Sequence, residues 1–258
     1  MSAEGVGNST TGGSLRATEP NHLQRVLIIW LVLSIIGVIA SLLFTPLLMP
    51  AAASDVAGFS RLTVVVFTTA AVPVALFVWV FLGYSVVVFR TRQRPTAYAP
   101  RILATTRMQV GWLAVTGALT AFLLIWGFVG LFQQAADPPA QPLVVNVTGQ
   151  QWAWTFSYPQ YGVPASAQLA LPVNRPVRFR VGARDVLHGF SVLELGVRID
   201  ANPGETVTTD AITPNRIGTY QVRCIELCGL YHSLMSTSVQ VVSNDAFATW
   251  VVQHGGHK

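Results

Sequence analysis

Three apolar runs, at residues 26–49, 62–89 and 110–132, constrain this chain more than any other feature. Each exceeds the roughly 18–20 apolar residues that a helix needs to cross a bilayer. Lipid offers the backbone no hydrogen-bond partners, so each run is expected to be helical. Pro73 falls inside the second run, where neighbouring helices can satisfy the freed carbonyl. Trp30, Trp79, Trp112 and Trp126 read either as interface anchors or as packing between helices. Only 10% of the 258 residues are charged and 52% are hydrophobic, against roughly 25% charged in soluble domains.

The few charges are unevenly placed. Net charge is +5, yet residues 137–258 carry eight basic and eight acidic groups, so the excess belongs to the membrane part. This excludes a nucleic-acid footprint, which would concentrate charge on a soluble face. Residues 90–109 hold Arg90, Arg92, Arg94, Arg101 and Arg107 with no acid. The positive-inside rule makes this loop cytoplasmic. The second span then runs inward and the third outward, a hairpin over 62–132 whose C-terminal continuation lies outside the cytoplasm. Residues 1–25 are a cytoplasmic leader. The span at 26–49 has two readings. It is an uncleaved signal anchor, or a signal peptide cut near the small residues Pro50-Ala51-Ala52-Ala53-Ser54.

After Asp137-Pro138-Pro139 the helical pattern gives way to short alternating segments. Strands are expected at 142–148, 151–158, 176–182, 217–223 and 236–242. In the third, Val177, Phe179 and Val181 alternate with Arg178 and Arg180; in the fourth, Tyr220 and Val222 alternate with polar residues. Pro172-Val173-Asn174, Asn202-Pro203-Gly204 and Pro214-Asn215 supply turns. Many short strands in 137–243 imply a sandwich or Greek-key barrel. Ser243-Asn244 can cap a helix at 245–252 within a C-terminal segment, 244–258.

One loop carries chemistry: Cys224-Ile-Glu226-Leu-Cys228-Gly229-Leu-Tyr-His232-Ser-Leu-Met235. The two cysteines taken alone fit a disulfide or a metal pair. The neighbouring imidazole and thioether favour metal. Methionine discriminates against zinc, which takes Cys, His and carboxylate ligands, and points to an electron-transfer copper site. A mononuclear site needs two histidines and one cysteine, so this loop has one thiolate too many and one imidazole too few. Of the five histidines, His22 is on the leader and His254 and His257 are on the tail. His188, in Asp185-Val-Leu-His188, remains.

The loop resembles the C-x-E-x-C-G-x-x-H-x-x-M signature of cytochrome c oxidase subunit II. Gly149-Gln-Gln-Trp152-Ala-Trp154, Asp185-Val-Leu-His188 and Asp200-Ala-Asn-Pro203-Gly204 resemble further segments of that family, in the same order. The resemblance covers roughly 62–242. It implies a transmembrane anchor followed by an all-β cupredoxin-like Greek-key barrel holding a binuclear copper (CuA) centre. Cys224 and Cys228 would bridge the coppers. His188 and Met235 would complete one copper, and His232 and the Glu226 carbonyl the other. The Glu226 side chain would reach a magnesium ion at the border with subunit I, and Trp152 would be where electrons enter. The implied partners are haem–copper oxidase subunit I, other oxidase subunits, membrane lipid, and cytochrome c or another c-type donor. The implied location is a bacterial or archaeal plasma membrane, with the copper domain extracytoplasmic.

The chain departs from that family in three respects. Gln109 stands three residues before Trp112, where many oxidases have a glutamate at a proton channel. There is an extra N-terminal span. The copper domain is neutral by count, with no net acidic charge to attract a basic cytochrome. The CuA subunit of a nitric oxide reductase, and a stand-alone membrane copper protein, are the rival readings. No C-x-x-C-H occurs, so no c-type haem is attached here.

Overall fold

The computed structural model describes residues 21–90, 105–135 and 141–257. Most of the expected leader and most of the arginine loop, residues 91–104, lie outside the described residues. Three helices are long and apolar enough to cross a membrane: α1 (His22–Phe44), α2 (Asp55–Val88) and α3 (Thr106–Ala135). The second begins seven residues before its apolar run, because Ser54 caps it by accepting the Ala57 N–H at 3.0 Å.

The main partner of α2 is α1. Gly37 lets the two helices approach; a Cβ there would meet Val72 Cγ1 at 2.7 Å. Hydrogen bonds join the pair at three depths: His22 Nδ1 with Tyr84 Oη (2.8 Å), Trp30 Nε1 to the Pro73 carbonyl (2.9 Å), and Ser41 Oγ with Thr69 Oγ1 (3.1 Å). Thr69 lies four residues before Pro73, so its carbonyl is the one that the proline leaves without a helical donor. The expected pairing of the second and third spans is confined to the end beside the β-domain. There Trp126 donates to Thr63 Oγ1 at 3.1 Å and packs on Phe59.

The β-domain is a sandwich of two five-stranded sheets. One has the order β3 (Val163–Ser166), β2 (Ala153–Tyr158), β1 (Leu143–Gln150), β5 (Val177–Ala183), β8 (Val207–Thr208). The other runs β4 (Leu169–Pro172), β10 (Ser236–Val242), β9 (Gly218–Cys224), β6 (His188–Val192), β7 (Val197–Ala201). The alternation seen in sequence is the alternation of burial: Leu143, Val145 and Val147 on β1, and Val177, Phe179 and Val181 on β5, all face the core. Phe190 is its centre, with Trp154, Phe156 and Phe179 within 5.3–6.3 Å between ring centroids. The expected strand at 151–158 begins only at Ala153. Gln151 and Trp152 form the turn from β1 to β2, because β1 continues to Gln150 and pairs it with Ala153. Strand β6 begins at His188, which was expected at a strand edge, whereas β3, β4, β7 and β8 were not among those expected; β4 is fully buried and β8 too short to alternate. A C-terminal helix α4 (Asn244–Gln253) covers the core end with Phe247 and Trp250, which pack on Tyr158.

The link between the first two helices belongs to the sandwich. Ala53 donates its N–H to the Glu194 carbonyl (2.7 Å) and accepts from Asn215 N–H (2.9 Å). The Ser54 hydroxyl donates to the Leu195 carbonyl at 2.8 Å. Ala53 and Ser54 are 0% and 1% exposed, so α2 is keyed into the β-domain.

Candidate metal centre

Strand register assembles the centre. Strand β9 lies antiparallel between β6 and β10, with Phe190 opposite Cys224 and Ser236 opposite Arg223. The start of β6, the end of β9 and the start of β10 therefore meet at one end of the sandwich, bringing His188, Cys224 and Met235 together. The connecting loop turns back through a short 3₁₀ segment at His232–Leu234, which returns His232 to the same end. Gly229 makes this possible with φ +116°, a conformation that side chains disfavour.

The two thiols are 3.7 Å apart and free, well beyond the roughly 2.05 Å of a disulfide bond. His188 Nδ1 lies 3.9 Å from the Cys224 sulfur, and Met235 Sδ 3.7 Å from the Cys228 sulfur. On the second pair of flanks, the Glu226 carbonyl is 3.3 Å from Cys224 and His232 Nδ1 is 3.5 Å from Cys228. Each sulfur thus has one nitrogen or sulfur donor on one side and one nitrogen or oxygen donor on the other. His188, Cys224, Cys228 and Met235 are all less than 9% exposed, while Glu226 and His232 are half-buried. Among the described residues, His188, Cys224 and Cys228 form the single group of three or more histidine, cysteine or carboxylate side chains able to share a metal. Among the described residues, no such group of three includes the Glu226 carboxylate.

His188 is held ready. Its Nε2 donates to Asp185 Oδ1 at 2.9 Å, which leaves Nδ1 with its lone pair toward the sulfurs. Asp185 is fixed in turn by the Gln151 N–H on Oδ2 (2.7 Å) and the Val186 N–H on Oδ1 (2.7 Å). Burial works against the Asp185 charge, but the hydrogen bonds from Gln151, His188 and Val186 outweigh it and hold the carboxyl below its ordinary pKa. Burial, together with the neighbouring Cys224, pushes the Cys228 thiol up to about 11. Replacing Asp185 by alanine is therefore expected to weaken metal retention about 10–100-fold, and by asparagine much less, because asparagine keeps an acceptor for His188. Competitive metal titration of the intact chain measures this.

All six expected ligand residues converge. Trp152 sits beside them, its indole N–H 3.3 Å from the Cys228 carbonyl and its ring edge-on to Tyr231 at 4.7 Å. The other described histidines are elsewhere: His22 against Tyr84, His254 bonded to Trp250 and Gln168, and His257 beside Gly162 with its backbone N–H on the Tyr161 carbonyl. Asp185 and Gln151 carry structural roles at the site that sequence reading did not assign. The Asp three residues before His188 was the available signal.

Comparison with known proteins gives a consistent picture. The family model described as cytochrome C oxidase subunit II, periplasmic domain, matches residues 162–242. Cytochrome c oxidase subunit 2 of Thermostichus vulcanus is 44% identical over 111 residues, 43% of this chain and 33% of that protein. Probable cytochrome c oxidase subunit 2 of Rickettsia prowazekii is 27% identical over 201 residues, 69% of this chain and 62% of that protein. The chain thus spans less than two thirds of the length of these relatives. The crystal structure of the periplasmic domain of subunit II of cytochrome oxidase from Bradyrhizobium japonicum is 31% identical, covering 45% of this chain and 96% of that one, with a TM-score of 0.42.

Proposed function

We propose that this chain, which belongs to the cytochrome c oxidase subunit II family, is the electron-accepting subunit of a haem–copper terminal oxidase. The observation that carries this is the donor set: two thiols flanked on each side by an imidazole and a weak donor, thioether on one side and carbonyl on the other. Soft sulfur with imidazole suits copper, and two thiols in reach of both flanks suit a bridged pair. Copper bound there would supply reversible one-electron storage shared between two ions.

The chain's own residues do the rest. Cys224 and Cys228 would bridge. His188 and Met235 would hold one ion, and His232 and the Glu226 carbonyl the other. Asp185 fixes the His188 ring. The strands that carry the ligands hold them against rearrangement between redox states. Trp152 would take electrons from a c-type donor, and haem in subunit I would receive them from the centre. The Glu226 side chain would meet magnesium only with ligands from another chain. Strand β6 runs roughly 15 Å from the centre toward the joint with α2, which supports a centre held close above the membrane. The start of α2 is keyed to the β-domain and α3 passes Phe59 there late in its length, so the end of α2 and the start of α3, which flank the arginine-rich stretch in sequence, are the ends remote from the β-domain, in keeping with an extracytoplasmic copper domain.

The test is copper loading of the intact chain in detergent, since residues 53–55 are part of the sandwich. Two coppers per chain, with electron spin resonance hyperfine structure shared by both nuclei, is the expected result. A chain that takes no copper after full reduction of its thiols would sink the reading.

The first span is proposed to remain in the mature protein. A removed signal peptide has no use for hydrogen bonds to α2 at three depths or for Gly37 at the contact. N-terminal sequencing of the purified subunit is expected to begin upstream of residue 26; a start between residues 50 and 55 contradicts it.

A further inference from the structure

We propose that Gln151 is the positioning residue for electron transfer into the centre, its amide locking the Cys228 carbonyl and the Trp152 indole into one hydrogen-bonded unit. This rests on the reading of Trp152 and the copper pair given above, and assigns a further residue to it.

Gln151 is tied at both ends. Its backbone N–H donates to Asp185 Oδ2 at 2.7 Å, and Asp185 in turn holds His188. Its side-chain Nε2 donates to the Cys228 carbonyl at 2.8 Å. The Trp152 indole donates to that same oxygen at 3.3 Å. A carbonyl has two lone pairs, so both donors fit on one acceptor. A surface glutamine ordinarily leaves its amide in water; this one spends it on the backbone of a ligand residue. The seat is cut to size. A Cβ on Gly229 would lie 3.0 Å from Gln151 Nε2 and 3.4 Å from Trp152 Cζ2, so the glycine clears the space that both donors occupy.

The consequence is a defined route. From the indole the connection runs through one hydrogen bond to the Cys228 carbonyl, then along that residue's own bonds to its sulfur. Only an electron would travel it: the c-type donor would lose one electron, the copper held by these residues would gain it, and no bond or proton would change place. The shorter Gln151 bond fixes the carbonyl's position and so keeps the longer, half-exposed indole bond in place. Without it the indole is the sole donor and water competes for the oxygen.

The experiment uses the assembled oxidase carrying Gln151→Met, which keeps length and loses both donor protons. Reduction of the copper centre by reduced mitochondrial-type cytochrome c is followed by stopped flow. The rate at saturating donor is expected to fall on the order of tenfold with KM, copper content and the spin-resonance signature unchanged. In a Trp152→Phe background the same substitution is expected to add nothing, whereas independent positions would multiply. In the metal-free intact chain, the Trp152 indole N–H resonance, identified by its loss in Trp152→Phe, is expected to shift and to exchange faster with water. An unchanged rate and resonance in Gln151→Met, with Trp152→Phe slow, overturns the role of Gln151 alone. A copper signature altered along with the rate also overturns it, by making Gln151 a support of the metal loop. An unchanged rate in Trp152→Phe overturns the reading of Trp152 itself.

Discussion

Cys228→Ser is expected to abolish the proposed binuclear centre while leaving the sandwich folded. Cys228 touches three other members of the donor set: its sulfur lies 3.7 Å from Cys224, 3.5 Å from His232 and 3.7 Å from Met235. Serine offers a harder, more basic oxygen that does not bridge copper as a thiolate does. Its backbone carbonyl still accepts from Gln151 and Trp152, so the substitution leaves both of those bonds in place. Copper content should fall below two per chain, the shared hyperfine structure should vanish, and oxygen consumption driven by cytochrome c should drop to background. A serine variant that keeps the shared signature contradicts the bridging role. The same residue sets a pH dependence. With its thiol raised to about 11, Cys228 is protonated in the metal-free chain at neutral pH, and loading must expel that proton. Below this value apparent affinity should therefore strengthen with rising pH, about tenfold per unit for each proton displaced. Copper titration across pH 6 to 9 reads the slope; a flat profile means that the thiol is already ionised.

Trp152→Phe should slow reduction by the donor on the order of a hundredfold without loss of copper. Phenylalanine keeps an aromatic edge for Tyr231, which now packs at 4.7 Å, but has no N–H for the Cys228 carbonyl. The ligands themselves do not depend on the indole, since His188 is held by Asp185 and Cys224 by its backbone bond to Met235. Stopped-flow reduction and copper analysis on the same preparation separate the two effects. A normal rate in the presence of a full copper complement would move the point where electrons enter away from Trp152. A normal rate with depleted copper would mean that the indole supports the loop instead.

The membrane spans and the metal loop were legible because both are local. A helix long enough to cross lipid is written as a continuous apolar run, and five of the six candidate ligand residues fall between Cys224 and Met235. Alternation over 177–181 showed one buried face, and the structure buries that face. His188 was reached only by elimination among histidines and by family resemblance. Its approach to Cys224 depends on β6 and β9 being neighbours, and alternation says nothing about which strands pair.

By itself, then, the sequence determined that this chain crosses a membrane, that a β-domain follows, and that one loop carries a soft-metal donor set. Each of these follows from residues close together in the chain. Tertiary structure alone decided the rest. It joined Asp185 and Gln151 to the centre through bonds between loops 34 and 77 residues apart. It made α1 the partner of α2, which hydropathy cannot show because lipid-facing and helix-facing surfaces are both apolar. It drew Ala53 and Ser54, which sequence marked only as a candidate cleavage site, into the sandwich, where the Ala53 N–H and the Ser54 hydroxyl donate to the Glu194 and Leu195 carbonyls. In each case the deciding contact is between segments distant in sequence, and its energy comes from packing and hydrogen bonds that exist only once the chain has folded.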